Sequence, residues 1–282
     1  MSERTLLLNK FTIKEKIALI DKVIFNNINI LKIKDIVDLL NRGIVEISSS
    51  EVRYRTADGE AFNKLVIEND GVINKLVAGS KMIGNSRVDY CTLEVNIKPT
   101  EVGNLMCYTV VEYMERLLAI QEHLRVAYGI IADFSKISVK EIEINRTFKL
   151  KGNFEDYHRV INLIMSNLPR YLKNQMDYKK VTDGGSEYQT YYATSKKNNK
   201  SKRYLLFKIY NKTKAIENII LLTDSYMRVE LRLVGAEKVK KTLGTNRFLE
   251  MRDNMINKYF DDQVSKLIVA PFEKWKKTET TT

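Results

Sequence analysis

The chain of 282 residues is poor in the groups that several kinds of chemistry require. Only two histidines are present, His123 and His158, so a catalytic or metal site built on paired imidazoles has almost no material. Its two cysteines, Cys91 and Cys107, fall in no CxxC or Cys/His spacing; they support neither a zinc site nor a disulfide framework and read as core residues. With 3 prolines, 12 glycines and 44% hydrophobic residues, the composition excludes wholesale disorder. No apolar run approaches the ~18 residues of a membrane helix. The opening MSERTLLLNKFTIKEK is too charged for a signal peptide, so the expected location is cytoplasmic.

What the chain has in excess is positive charge. Lysine and arginine number 47 against 35 aspartate and glutamate, a net +12, and a field of that sign attracts polyanions, nucleic acid first. The bland alternative is a lysine-rich surface that only confers solubility.

Along the chain, residues 13–42 place apolar positions at mixed three and four spacings, which predicts one or two short helices ending near Gly43. From Ile44 alternation predicts strands around the turn Ala57-Asp58-Gly59, and VDYCTLEVNIK reads as a further strand. The stretch opened by Pro99, Thr100 and Glu101 reads as a helix through His123. VKEIEINRTFKL alternates, FEDYHRVINLIMSNLPRYL is helical up to Pro169, and TYYATSKK and YLLFKIYNK are two strands joined by a basic turn. SYMRVELRLVG is another strand, and from Ala236 to Trp275 the pattern is helical. The sum is α+β: a central antiparallel sheet, helices packed on one face, and helical additions at the N- and C-terminal ends.

Side chains two apart on a strand share a face. Thr92, Glu94 and Asn96 therefore line one face, as do Glu141, Glu143 and Asn145, then Arg228, Glu230 and Arg232, then Leu206, Lys208 and Tyr210. If the polar faces coincide, Tyr210 comes near several carboxylates, with Lys212 beside it. The ordinary alternative is a solvated sheet face without function.

The run TYYATSKKNNKSKRYLLFKIYNKTKAIE followed by SYMRVELRL resembles rolling-circle replication initiators of Gram-positive plasmids and filamentous phages. In that family the tyrosine of an Ile-Tyr-Asn-Lys strand is the nicking nucleophile, which implies Tyr210 here, in Ile209-Tyr210-Asn211-Lys212. Arg228-Val229-Glu230 matches a later strand, Ile142-Glu143-Ile144 an earlier one, and Leu93-Glu94-Val95-Asn96 resembles one earlier still. The resemblance covers roughly residues 88–235. It departs at Ala193-Thr194-Ser195, which lacks the relatives' glycine, and in a loop lengthened by Asn198, Asn199 and Lys200. The His-hydrophobic-His pair of the wider nicking class is absent, in keeping with the plasmid branch, which uses acidic residues. The resemblance implies residues 86–235 as a nicking core, preceded by an N-terminal region over 1–85; position and charge alone make the helical region 236–282 a candidate for origin recognition or dimer contacts.

The chemistry suits the residues. A phenol of ordinary pKa about 10 needs a cation or base to become a nucleophile, a role open to Lys208 or Lys212. Hard oxygens from Glu143, with Glu94 or Glu230, suit Mg²⁺ or Mn²⁺. The resemblance implies origin DNA as the substrate, expected single-stranded or extruded as a hairpin, with Tyr191, Tyr192 and Tyr204 as candidate aromatic faces near Lys196, Lys197, Lys200, Lys202 and Arg203. The span KKNNKSK carries four lysines and no acid. By resemblance the product is a 5′-phosphotyrosine, the strand is rejoined at termination, a host polymerase and helicase follow, and the protein acts as a homodimer. The rival readings are a non-catalytic origin-binding initiator or transcriptional regulator, a tyrosine recombinase, and a basic interaction protein. His158, His123 and Trp275 read as structural.

Overall fold

Alternating apolar and polar residues account for most of the architecture, because a strand that buries one face must repeat every second residue. The computed structural model describes residues 17–50, 52–96, 107–173, 176–183, 186–195, 205–217 and 222–270. In chain order the strands are β1 (Leu19–Asn26), β2 (Asn29–Ile33), β3 (Val45–Glu46), β4 (Tyr54–Arg55), β5 (Ala61–Phe62), β6 (Lys64–Glu68), β7 (Lys75–Ile83), β8 (Ser86–Asn96), β9 (Ile130–Asp133), β10 (Ser138–Lys149), β11 (Met176–Asp183), β12 (Ser186–Thr194), β13 (Leu205–Asn211) and β14 (Tyr226–Val234). Among the described residues a 10-stranded sheet runs in the order β11-β12-β13-β14-β10-β1-β8-β7-β6-β3, with β2-β9 and β4-β5 as separate pairs. Its neighbours are antiparallel. The α+β class with a large central antiparallel sheet is as expected.

One face of the central strands carries Val23, Ile142, Ile144, Phe207, Ile209, Val229, Leu231 and Leu233, all buried in the core. Helices Val110–Ala127, Ala236–Leu243 and Asp253–Val264 add Tyr113, Leu117, Val239, Ile256 and Phe260 to that core. The long helix opens with a capping box, the Thr109 hydroxyl accepting from Glu112 N at 3.2 Å and Glu112 Oε2 accepting from Thr109 N at 2.7 Å. Residues 97–106, and with them the expected opening at Pro99, Thr100 and Glu101, lie outside the described residues; Cys107 to Thr109 precede the helix.

Residues 13–42 correct the helical expectation. From Leu19 they form β1 and β2, and only Ile36–Asn41 is helical, capped by Asp35. Mixed three and four spacing arises here because β1 is irregular: its register on β10 shifts between Ile20 and Lys22 and again between Ile24 and Phe25. Such bulges break a period of two into one that imitates a helix. Cys91 and Cys107 are both buried, as expected of core residues. No described helix is long and apolar enough to cross a membrane.

Candidate active site

The face of the sheet opposite the core helices carries charge in register. Across β12, β13, β14 and β10, one row reads Thr190, Tyr210, Arg228 and Thr147; the next reads Tyr192, Lys208, Glu230 and Asn145. A third row places Leu206 beside Arg232 and Arg232 beside Glu143. The polar faces of β13, β14 and β10 thus coincide, which the alternation by itself had left open.

Three carboxylates converge on this face. One oxygen each from Asp21, Glu143 and Glu230 lie within 4.8 Å of one another. Asp21 is the member that sequence reasoning missed. It has the same parity as Val23 and Phe25, which point into the core, so plain alternation sends it inward. The bulge between Ile20 and Lys22 turns it to the other face, a usual effect of such an insertion. Tyr113 from the long helix holds the bulge from the core side, its hydroxyl 3.1 Å from Asp21 O and 2.9 Å from Val95 O. A hydrophilic residue in phase with core positions was the available signal.

Cations interleave with the acids. Lys208 Nζ pairs with Glu230 Oε1, Arg232 Nη2 with Glu141, and Arg232 Nε lies 3.2 Å from Glu143 Oε1. Arg228, with a fully buried side chain, lies 3.6 Å from Asp21 Oδ2 and donates from Nε to Thr147 Oγ1 at 3.0 Å. Tyr210 is 8% exposed, and its hydroxyl lies 3.5 Å from Glu230 Oε2.

Burial and crowding shape the titrations. Burial, then the charge of Glu230, pushes the Glu143 carboxyl up to about 7. Burial also raises Asp21, against the pull of Arg228. The Tyr210 phenol is pushed well above 10 by burial, and the cation that opposes this is Arg228. Burial works against the Lys208 ammonium, but the charges of Glu230 and Glu143 outweigh it and hold its pKa above the usual value. Burial, then the charge of Arg228, lowers Lys212 to about 8. Lys208 thus pairs with a carboxylate of the cluster, and Arg228 stands across the strand pair from Tyr210.

The donor set fits a hard divalent cation. Such ions take carboxylate oxygens, and three of these, one each from β1, β10 and β14, gather within 4.8 Å of one another. A crowded carboxyl pushed up to about 7, as Glu143 is, is the kind of group a cation relieves. Glu94 stands apart from the three: its Oε1 accepts from Lys22 Nζ at 2.5 Å and from Asn96 Nδ2 at 3.1 Å.

Tyr192 shares the site face, across from Lys208. Tyr191 stands on the core face, buried, with its ring edge-on to His158 at 5.9 Å, so it presents no open ring there to a base. Lys196, Lys197, Lys200, Lys202, Arg203, Tyr204 and Trp275 lie outside the described residues. His123, at the end of the long helix, hydrogen-bonds Asp70 Oδ2 at 2.8 Å.

No family model matches the chain, and no curated protein matches it. Among solved structures it is similar to a rolling circle replication initiator protein from Geobacillus stearothermophilus, with 13% identity over 79% of this chain and 76% of that one, at a TM-score of 0.35. At that level the likeness says nothing of activity, and the functional reading rests on the site.

Proposed function

We propose that the chain is a rolling-circle replication initiator, a DNA nicking and closing enzyme whose nucleophile is Tyr210. The observation that carries this reading is the placement of Tyr210 on the same sheet face as the Asp21, Glu143 and Glu230 carboxylates, with Glu230 touching both groups. The motif resemblance around Ile209-Tyr210-Asn211-Lys212 and the +12 charge support it.

In this reading Tyr210 Oη attacks the phosphorus of one phosphodiester and the P–O3′ bond breaks, leaving a 5′-phosphotyrosine and a free 3′-hydroxyl. Glu230 Oε2 is the oxygen placed to accept the phenolic proton, and the 3′-oxygen takes up a proton as it leaves. Arg228, opposite Tyr210 on β14, stabilises the developing phenolate, and Lys208 pairs with Glu230. Asp21, Glu143 and Glu230 would hold Mg²⁺ or Mn²⁺, which would polarise the phosphate and stabilise charge on the leaving oxygen. Because Tyr210 is 8% exposed, the strand must displace part of what packs over that face before the phosphate arrives. Closing is the reverse attack by the 3′-hydroxyl on the phosphotyrosine.

The family resemblance adds origin DNA as substrate, a host polymerase and helicase acting on the nicked product, and a homodimer; position and charge alone suggest residues 236–282 for origin recognition or dimer contacts. The nicking core of residues 86–235 is completed by β1, which supplies Asp21.

A second reading has its own support. Asp21, Glu141, Glu143 and Glu230 are interleaved with Lys208, Lys212, Arg228 and Arg232, so the face balances its charge unaided, as a purely structural network would. The non-catalytic origin-binding protein belongs here. Incubating the protein with supercoiled and single-stranded DNA carrying its own gene region, in Mg²⁺, Mn²⁺ or EDTA, separates the two. Metal-dependent nicking with a covalent adduct that Tyr210→Phe abolishes supports the enzyme; binding without cleavage under every condition supports the second reading.

A further inference from the structure

Beside the carboxylate cluster is a cavity of about 270 Å³ lined by Glu141, Thr194, Leu205, Leu206, Arg232 and Val234. The reaction proposed above does not use it. Leu206 lies four residues before Tyr210 on β13, a distance of about 13 Å along the strand. The cavity is smaller than the roughly 300–1,000 Å³ of pockets that enclose drug-sized ligands, a size suited to a single ring system.

Its lining selects the chemistry. Arg232 uses Nη2 for Glu141 and Nε for Glu143, and among the described residues no hydrogen bond or ion pair uses Nη1. Glu141 and Glu143 offset the guanidinium charge, which disfavours a phosphate here. A neutral planar group with both donors and acceptors fits better, with Leu206 and Val234 as apolar contacts for its faces. Resting on the reading that DNA is cut at Tyr210, we infer that this cavity receives an unpaired guanine base close to the scissile phosphate. Arg232 donates to the guanine O6 and N7 acceptors, the commonest arginine-to-base contact, and Glu141 accepts from the guanine N1–H and N2–H groups. Thymine offers no matching pair and brings a methyl group against the ion pair. The site therefore reads sequence on an unpaired strand, where the edges of a base are accessible.

The test uses the full chain and fluorescence anisotropy with dye-labelled short oligothymidylate strands that carry one central dG, dC or dA, or none. Wild type should bind the dG strand about tenfold more tightly than plain oligothymidylate. Leu206→Trp and Val234→Phe, which fill the cavity without touching Tyr210 or the three carboxylates, should bind all four strands as wild type binds the plain one. Thermal melting shows whether each variant is folded, and either folded variant suffices. Equal binding of the four strands by wild type, preference for dC or dA, or a dG preference unchanged in the filled variants overturns the inference. Nicking is scored separately. A protein that prefers dG but never cleaves keeps the base site and loses the enzyme, whereas one that cleaves without preference does the reverse.

Discussion

Replacing Arg228 with methionine should be among the most damaging single changes in the chain. Its side chain is fully buried, 3.6 Å from Asp21 and hydrogen-bonded to Thr147 at 3.0 Å. At an effective dielectric of about 20, an attraction at that distance is about 4–5 kcal/mol before desolvation is counted. Methionine preserves most of the volume, so the loss is electrostatic: Asp21, whose side chain is 22% exposed, stays beside Glu143 and Glu230 without the Arg228 guanidinium. Breaking a buried pair on one side costs about 3–5 kcal/mol, a large part of the roughly 5–15 kcal/mol that holds a domain together. At about 2–4 °C per kcal/mol the melting temperature in EDTA should fall by about 6–20 °C. Saturating Mg²⁺ should restore more stability to the variant than it adds to wild type, about 3 kcal/mol at a hundred times the dissociation constant. Lys214→Met is the control, since Lys214 and Glu217 form an exposed pair whose loss should cost no more than about 0.5 kcal/mol. Urea and thermal unfolding followed by circular dichroism measure both. If Arg228→Met in EDTA loses less than about 1 kcal/mol, or Mg²⁺ stabilises it no more than wild type, this account of the buried charges is wrong.

In calorimetric Mn²⁺ titrations, Asp21→Asn and Glu143→Gln should each weaken binding tenfold or more, while Glu94→Gln, held by Lys22 outside the cluster, should bind like wild type; equal losses at Glu94 and Asp21 would move the metal site. Burial works against the Asp70 carboxylate, but hydrogen bonds from Ile73 N, the Tyr128 hydroxyl, Val72 N and His123 outweigh it and lower its pKa to about 2. A carboxyl whose folded pKa lies below its unfolded value stabilises fully above the unfolded value, about 3.9, and loses that contribution as pH falls through about 2. Asp70→Asn should accordingly cost about 1 kcal/mol at pH 6 and progressively less on acidification, whereas a gap in unfolding free energy that does not change with pH counts against the linkage. Gly79→Ala would bring a Cβ to 2.9 Å from both Asn63 O and the Tyr90 hydroxyl, and the strain should lower stability by about 1–3 kcal/mol; an unchanged denaturation midpoint would show that β7 gives way without cost.

Much of the candidate site was legible because it sits on regular strands. In β10, β13 and β14 a period of two separates the face bearing Glu143, that bearing Lys208 and Tyr210, and that bearing Arg228 and Glu230 from the apolar face of each strand, without any knowledge of which strands are neighbours. What the period cannot supply is order and register. That Arg228 stands opposite Tyr210, and that Glu94 lies two strands from Glu143 with Lys22 between them, depends on how β1, β8, β10, β13 and β14 pair across the sheet. Asp21 was hidden for a different reason. A bulge is a disagreement between two strands, and it appears in neither strand's own pattern.

The amino-acid sequence by itself determined the class of fold, the polar and apolar faces of the regular strands, the excess of positive charge and the shortage of imidazole and thiol ligands, since each is a property of local pattern or composition. Only the tertiary structure decided that Asp21 joins the carboxylate cluster, that Arg228 stands opposite Tyr210, and that Tyr191 faces the core. Those outcomes depend on contacts between segments distant along the chain and on burial, which sets the strength of every charge at the site.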